Sequence, residues 1–113
     1  MRTRFKKADD RFEVDHGHLV RTVTGADGRS YVHRCTQDVY VAVAHAMQSA
    51  GEDGATVDTL VAALDMPYTQ MNVALEFLKE RGCVYVHLRR SYPASTFAFE
   101  DGMLEYFALG QEQ

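Results

Sequence analysis

The sequence predicts an α+β fold, and two kinds of periodicity carry that prediction. Val57, Leu60, Val61 and Leu64 fall at i, i+3, i+4 and i+7, and Met71, Leu75 and Leu78 follow the same spacing, so each set shares one helix face. On either side of these helices, in residues 12–34 and 83–99, apolar residues alternate with polar ones as they do in half-buried strands. Strands grouped before and after a block of helices favour segregated α and β layers over an alternating βαβ order.

Residues 1–10 are polar, basic and then acidic, and read as a mobile arm ahead of a domain covering 11–113. A β-meander is expected over 11–34. Phe12 and Val14 alternate with charges, His16-Gly17 suits a two-residue turn, and Leu19, Val20 and Val23 continue the pattern. That turn sets Val14 opposite Leu19. Thr24 to Gly28 forms the second turn, and Tyr31 and Val32 belong to the returning strand. Thr36 then caps a helix with Asp38 in its first turn. Val39, Val41 and Val43 also fit a strand, but Ala44, Ala46, Met47 and Gln48 favour the helix.

Gly51 to Gly54 is a loop, and Thr56 caps the second helix, which ends where Met66 precedes Pro67. Pro67 pre-sets the third helix and Gly82 offers its left-handed cap. Cys83 to Leu88 reads as a strand, Arg89 to Ala94 as a hairpin tip, and Phe97 and Phe99 as the returning strand. A last helix over 101–109 places Met103 and Phe107 one turn apart, with Leu104, Tyr106 and Leu109 also apolar.

Composition is that of an ordinary globular chain, 46% hydrophobic and 25% charged, with no apolar run near the roughly 18 residues of a membrane span. No secretory signal follows the basic start, and Cys35 and Cys83 lie far apart, which favours buried free thiols in a reducing cytosol over a disulfide. The formal net charge of −4 conceals a split. Arg2, Arg4, Lys6 and Lys7 stand in the first seven residues with no acid among them, leaving −8 for the remainder. From Thr36 to Glu80, Lys79 faces Asp38, Glu52, Asp53, Asp58, Asp65, Glu76 and Glu80. Such a core repels phosphate.

The stretch L-D-M-P-Y-T-Q-M-N-V-A-L-E-F-L-K-E-R-G-C-V, with the helix before it and the hairpin after it, resembles a winged helix-turn-helix domain over 36–99. Leu64, Met66, Met71, Ala74, Leu75, Leu78, Gly82 and Val84 match that family's core and turn positions. The resemblance implies a small DNA-binding transcriptional regulator acting as a homodimer, its third helix in a major groove. Tyr68, Thr69, Gln70 and Asn72 would then meet base edges, while Arg89 and Arg90 in the wing would hold phosphate. The basic arm could track a groove.

Departures from the family pattern supply the alternative. Positions that often carry Arg or Lys are here Val73, Glu76 and Phe77, and Val73 with Phe77 makes an apolar ridge on the presumed DNA face. Either the meander covers that ridge or a protein partner does, with Val73, Phe77, Met103 and Phe107 as candidate interface residues. Asp15-His16-Gly17-His18 pairs two imidazoles, but His33, His45 and His87 lie on other elements and zinc-site spacings are missing, so no metal or other cofactor is expected. Neither a phosphate-cradling glycine loop nor a nucleophile elbow occurs, and no enzyme activity is expected.

Overall fold

Three antiparallel strands open the chain because two tight turns fold it back on itself. The structure, a computed structural model, describes residues 7–111. Strands β1 (Lys7–Asp15), β2 (His18–Gly25) and β3 (Ser30–Cys35) pair in the order β1-β2-β3. His16 and Gly17 both take positive φ, 51° and 80°, the twist a two-residue hairpin turn needs, and Val14 does stand opposite Leu19. At the second turn Asp27 accepts a hydrogen bond from the Arg29 amide at 3.0 Å.

The structure corrects the expected arm. Lys7 to Asp10 is the first part of β1, with Lys7 opposite Gly25 and a bulge before Asp9. Its charges are those of an edge strand, whose pairing needs backbone alone while its side chains meet water. Arg2, Arg4 and Lys6 lie outside the described residues.

Helix α1 (Gln37–Ala50) starts where the Thr36 hydroxyl accepts from the Val39 amide, and Asp38 sits in the first turn. A 3₁₀ turn at Gly51–Asp53 follows. In α2 (Val57–Leu64), Thr56 and Thr59 form a reciprocal capping box, and Asp65 ends the helix in the left-handed region. Helix α3 (Tyr68–Glu80) begins one residue after Pro67. Gly82, φ 76°, ends it: the Cys83 amide donates to Leu78 and the Gly82 amide to Lys79, the paired bonds of a Schellman cap.

The second sheet departs from expectation. Strands β4 (Val84–His87) and β5 (Arg90–Pro93) pair antiparallel, with Leu88 and Arg89 as the turn. Phe97 and Phe99 are not strand: helix α4 runs Ala98–Gln111, longer than the expected 101–109. T-F-A-F alternates well enough to imitate a strand, yet the Ser95 hydroxyl accepts from the Phe97 amide and Glu100 and Asp101 occupy the first helical turn. Ala55, just ahead of α2, exchanges two 2.8 Å backbone hydrogen bonds with Ser91 of β5. This ties the start of the helical pair to the hairpin.

One core joins the layers. Leu19, Cys35, Tyr40, Val43, Met47, Met71, Val73, Leu75, Phe77 and Leu78 form it, with Tyr106 and Leu109 of α4 closing one end. Tyr40 and Tyr106 stack at 5.1 Å, the Tyr40 hydroxyl donates to the Gly102 carbonyl at 2.6 Å, and the Tyr106 hydroxyl donates to the Gly17 carbonyl. The crossing at Gly102 is close, since a Cβ there would sit 2.8 Å from a Leu78 methyl.

Candidate functional site

Helix α3 lies between α1 and the meander, so it has two buried flanks. Val73 and Phe77 are fully buried, both at 0% exposure. The Phe77 ring packs 5.3 Å from Phe12 of β1 and 5.9 Å from Tyr40 of α1, and the Arg81 guanidinium lies 5.2 Å over it. The apolar ridge is therefore core, and neither residue is available to a partner. A helix carrying Val and Phe on its outer side avoids leaving them in water by taking a three-stranded cover, worth roughly 1.5–3 kcal/mol per buried side chain.

Gln70 is also committed within the chain. Its Oε1 accepts the Thr36 amide at 3.0 Å, linking α3 to the start of α1. Among the sequence-predicted base readers, Tyr68 and Thr69 are exposed and Asn72 half-buried. Further along, the same accessible stripe carries Glu76 and Glu80, with Lys79 bound to Glu76 at 2.7 Å. That surface is acidic where a groove-facing helix needs the opposite sign.

The cations of the meander are likewise matched. Arg21, 7% exposed, makes a two-pronged contact with Asp10 at 2.9 and 2.8 Å, and Lys7 adds a third bond at 3.2 Å. The Arg21 guanidinium holds the Asp10 carboxyl below the usual carboxylate range. Arg11 pairs with Asp9, Arg29 with Asp27, Arg34 with Asp15, and Arg81 with Glu105. Among the described residues, Arg89 and Arg90 have no carboxylate within ion-pairing distance; Arg90 donates instead to the Asp53 carbonyl at 3.2 Å. Both sit at the hairpin tip, where Leu88 and Arg89 hold positive φ of 50° and 67°. Two non-glycine residues in that conformation cost about 1–2 kcal/mol each.

Exposed apolar side chains gather on α4 and on the hairpin, besides Tyr31, Val32 and Tyr68 elsewhere. On α4, Ala98, Gly102, Tyr106 and Leu109 turn inward, and Met103 packs half-buried against the same core. Leu104 and Phe107 point outward at 68% and 52% exposure, with Phe97 beside the start of the helix. On the hairpin, Tyr85 is 54% exposed and stacks on Tyr92 at 5.4 Å and 21°. Beside them the 3₁₀ turn and the end of α1 close a groove of about 550 Å³. Sequence periodicity missed this pair because it placed the turn at 89–94. A turn at Leu88-Arg89 sets Tyr85 opposite Tyr92 at once.

Gly54 packs closely against the hairpin at Ser91 and Tyr92. Its φ is +66°, and a Cβ would lie 2.6 Å from the Ser91 carbonyl and 2.7 Å from the Tyr92 ring. Gly54→Ala is expected to cost about 2 kcal/mol by denaturant titration, from left-handed strain and a backbone clash together. A change below about 0.5 kcal/mol would show that the loop is not tied to the hairpin.

Both cysteines are free and buried, their thiols pushed up to about 12 at Cys35 and about 11 at Cys83, mainly by burial. Neither is a reactive thiolate at neutral pH. Among the described residues no group of three or more His, Cys, Asp or Glu side chains is placed to hold a metal ion, and no helix is long and apolar enough to cross a membrane. Comparison with protein-family models, curated proteins and solved structures gives no match.

Proposed function

We propose that this chain is a winged helix adapted to protein–protein contact, pairing with a second copy through the outer face of α4. The order α1, Ala55 bridge, α2, α3 and hairpin supports the winged-helix reading, because it gives three helices followed by a hairpin wing. One observation carries the choice of function: the meander buries Val73 and Phe77 on α3. With Gln70 bound to Thr36 as well, a groove would meet little of α3 beyond Tyr68, Thr69 and Asn72. Leu104 and Phe107 offer an apolar face that a two-fold axis can close on itself.

A second reading, double-stranded DNA binding by a small regulator, draws on Arg89 and Arg90. Two arginines at a hairpin tip without carboxylate partners can approach phosphate. Two measurements separate the readings. Sedimentation is expected to show a dimer that Leu104→Glu with Phe107→Glu converts to a folded monomer. Binding to random duplex DNA is expected to be weak, with an almost flat dependence on salt. A monomeric parent protein at about 0.1 mM would overturn the first reading. A steep salt slope, flattened by about two units in Arg89→Ala with Arg90→Ala, would establish the second.

A further inference from the structure

The hairpin groove carries a chemistry of its own. Its walls are the rings of Tyr85 and Tyr92 with Pro93, and its polar rim includes Gln48 and Ser95. Among the described residues, its one ionised lining side chain is Glu52. Negative charge continues around it: Asp53 adjoins Glu52, and Asp101 lies 3.3 Å from the Ser95 hydroxyl. Arg90 on the hairpin donates to the Asp53 carbonyl, and neither it nor Arg89 lines the groove.

Electron-rich ring faces beside a carboxylate favour a cation, and a planar guanidinium can stack on tyrosine while donating to a carboxylate. The groove's volume of about 550 Å³ falls in the range of built ligand sites. Much of its lining is held in place. Gln48 is fixed by accepting the Phe99 amide at 2.9 Å, and Tyr92 by Gly54 and Tyr85. Strand β4 is also an edge of its sheet, since β5 lies between it and Ala55, so its outer backbone can receive an extended chain.

From this juxtaposition of Tyr85, Tyr92 and Glu52 beside the β4 edge, we propose that the groove binds an arginine side chain of an extended partner segment. Leu104 and Phe107 do not line the groove, so the site does not depend on dimerisation. The probe is a blocked peptide, acetyl-Gly-Ala-Arg-Ala-Gly-amide, titrated into the whole chain and followed by NMR. Its control is the same peptide with citrulline, which keeps the shape and removes the charge. The expected result is movement of the Tyr85 and Tyr92 ring signals by the arginine peptide, with binding at least about fivefold weaker for citrulline. Glu52→Gln should weaken arginine binding about as much, and Tyr85→Ala should abolish it. Both positions are exposed, so both variants should fold. Equal binding of the two peptides, shifts that map elsewhere on the acidic surface, or no shifts at about 5 mM peptide would each overturn the proposal.

Discussion

Phe77→Ala is expected to destabilise the protein by about 3–5 kcal/mol in urea denaturation, the upper end of what truncating one core side chain can do. The ring is fully buried where three layers meet, against Phe12 of the sheet and Tyr40 of α1. Its loss opens a cavity that neither the sheet nor α1 can close alone, since each is held by other contacts. Phe77→Leu should recover most of the loss, to within about 1.5 kcal/mol of the parent. The decisive comparison is Phe12→Ala made alone and together with Phe77→Ala. If the sheet covers the helix as described, the two costs are not additive, because the rings share one contact. Additive costs, or a Phe77→Ala effect below about 1 kcal/mol, would remove the meander from this interface.

Asp10→Asn is expected to cost about 2–3 kcal/mol at neutral pH by replacing the charged two-pronged acceptor of Arg21 with a neutral amide, leaving Glu76 as the more distant counter-charge. Arg21 stays charged at any accessible pH, so the loss cannot be relieved by its deprotonation. The pH dependence has a definite sign. The Asp10 carboxyl is held below its ordinary range in the folded state, chiefly by its hydrogen bonds with Arg21. Its contribution is therefore complete above the unfolded carboxylate's value, about 3.9, and is lost as pH falls through the lower folded value. Parent and variant should differ fully at pH 7 and converge in strong acid. A difference that is constant down to strong acid would show that the pair contributes packing alone.

Much of the architecture was legible because local chemistry and periodicity agree. Thr36, Thr56 and Gly82 bound the helices as their side chains dictate, and Val14 faces Leu19 because a two-residue turn permits no other register. The failures share a cause. Lys7 to Asp10 carries no apolar signal because an edge strand is fixed by its neighbour's backbone. Phe97 and Phe99 satisfy a period of two within a segment too short to reveal a period of 3.6. The fate of Val73 and Phe77 was open because helical spacing gives a face and not its neighbour. Only the return of the meander decides it. The acidic groove beside Tyr85 and Tyr92 joins residues from α1, the 3₁₀ turn and the hairpin, and no local pattern brings such a set together.

The hydrogen bond from Tyr106 to the Gly17 carbonyl has a consequence for how the chain is made. It joins residues 89 apart, and α4 also reaches β1 where Gly110 lies against Val14. Contacts of such long range form late, since the entropy of closing the intervening chain must be met first. During synthesis the meander leaves the ribosome early, but α3, its inner neighbour, follows some fifty residues later, at roughly 5–20 residues per second. Leu19 and Phe12 must remain in solvent or under a chaperone for that interval. Nascent chains halted before Tyr68 should accordingly expose an apolar sheet, and the yield of native protein should depend on how soon α3 follows the meander.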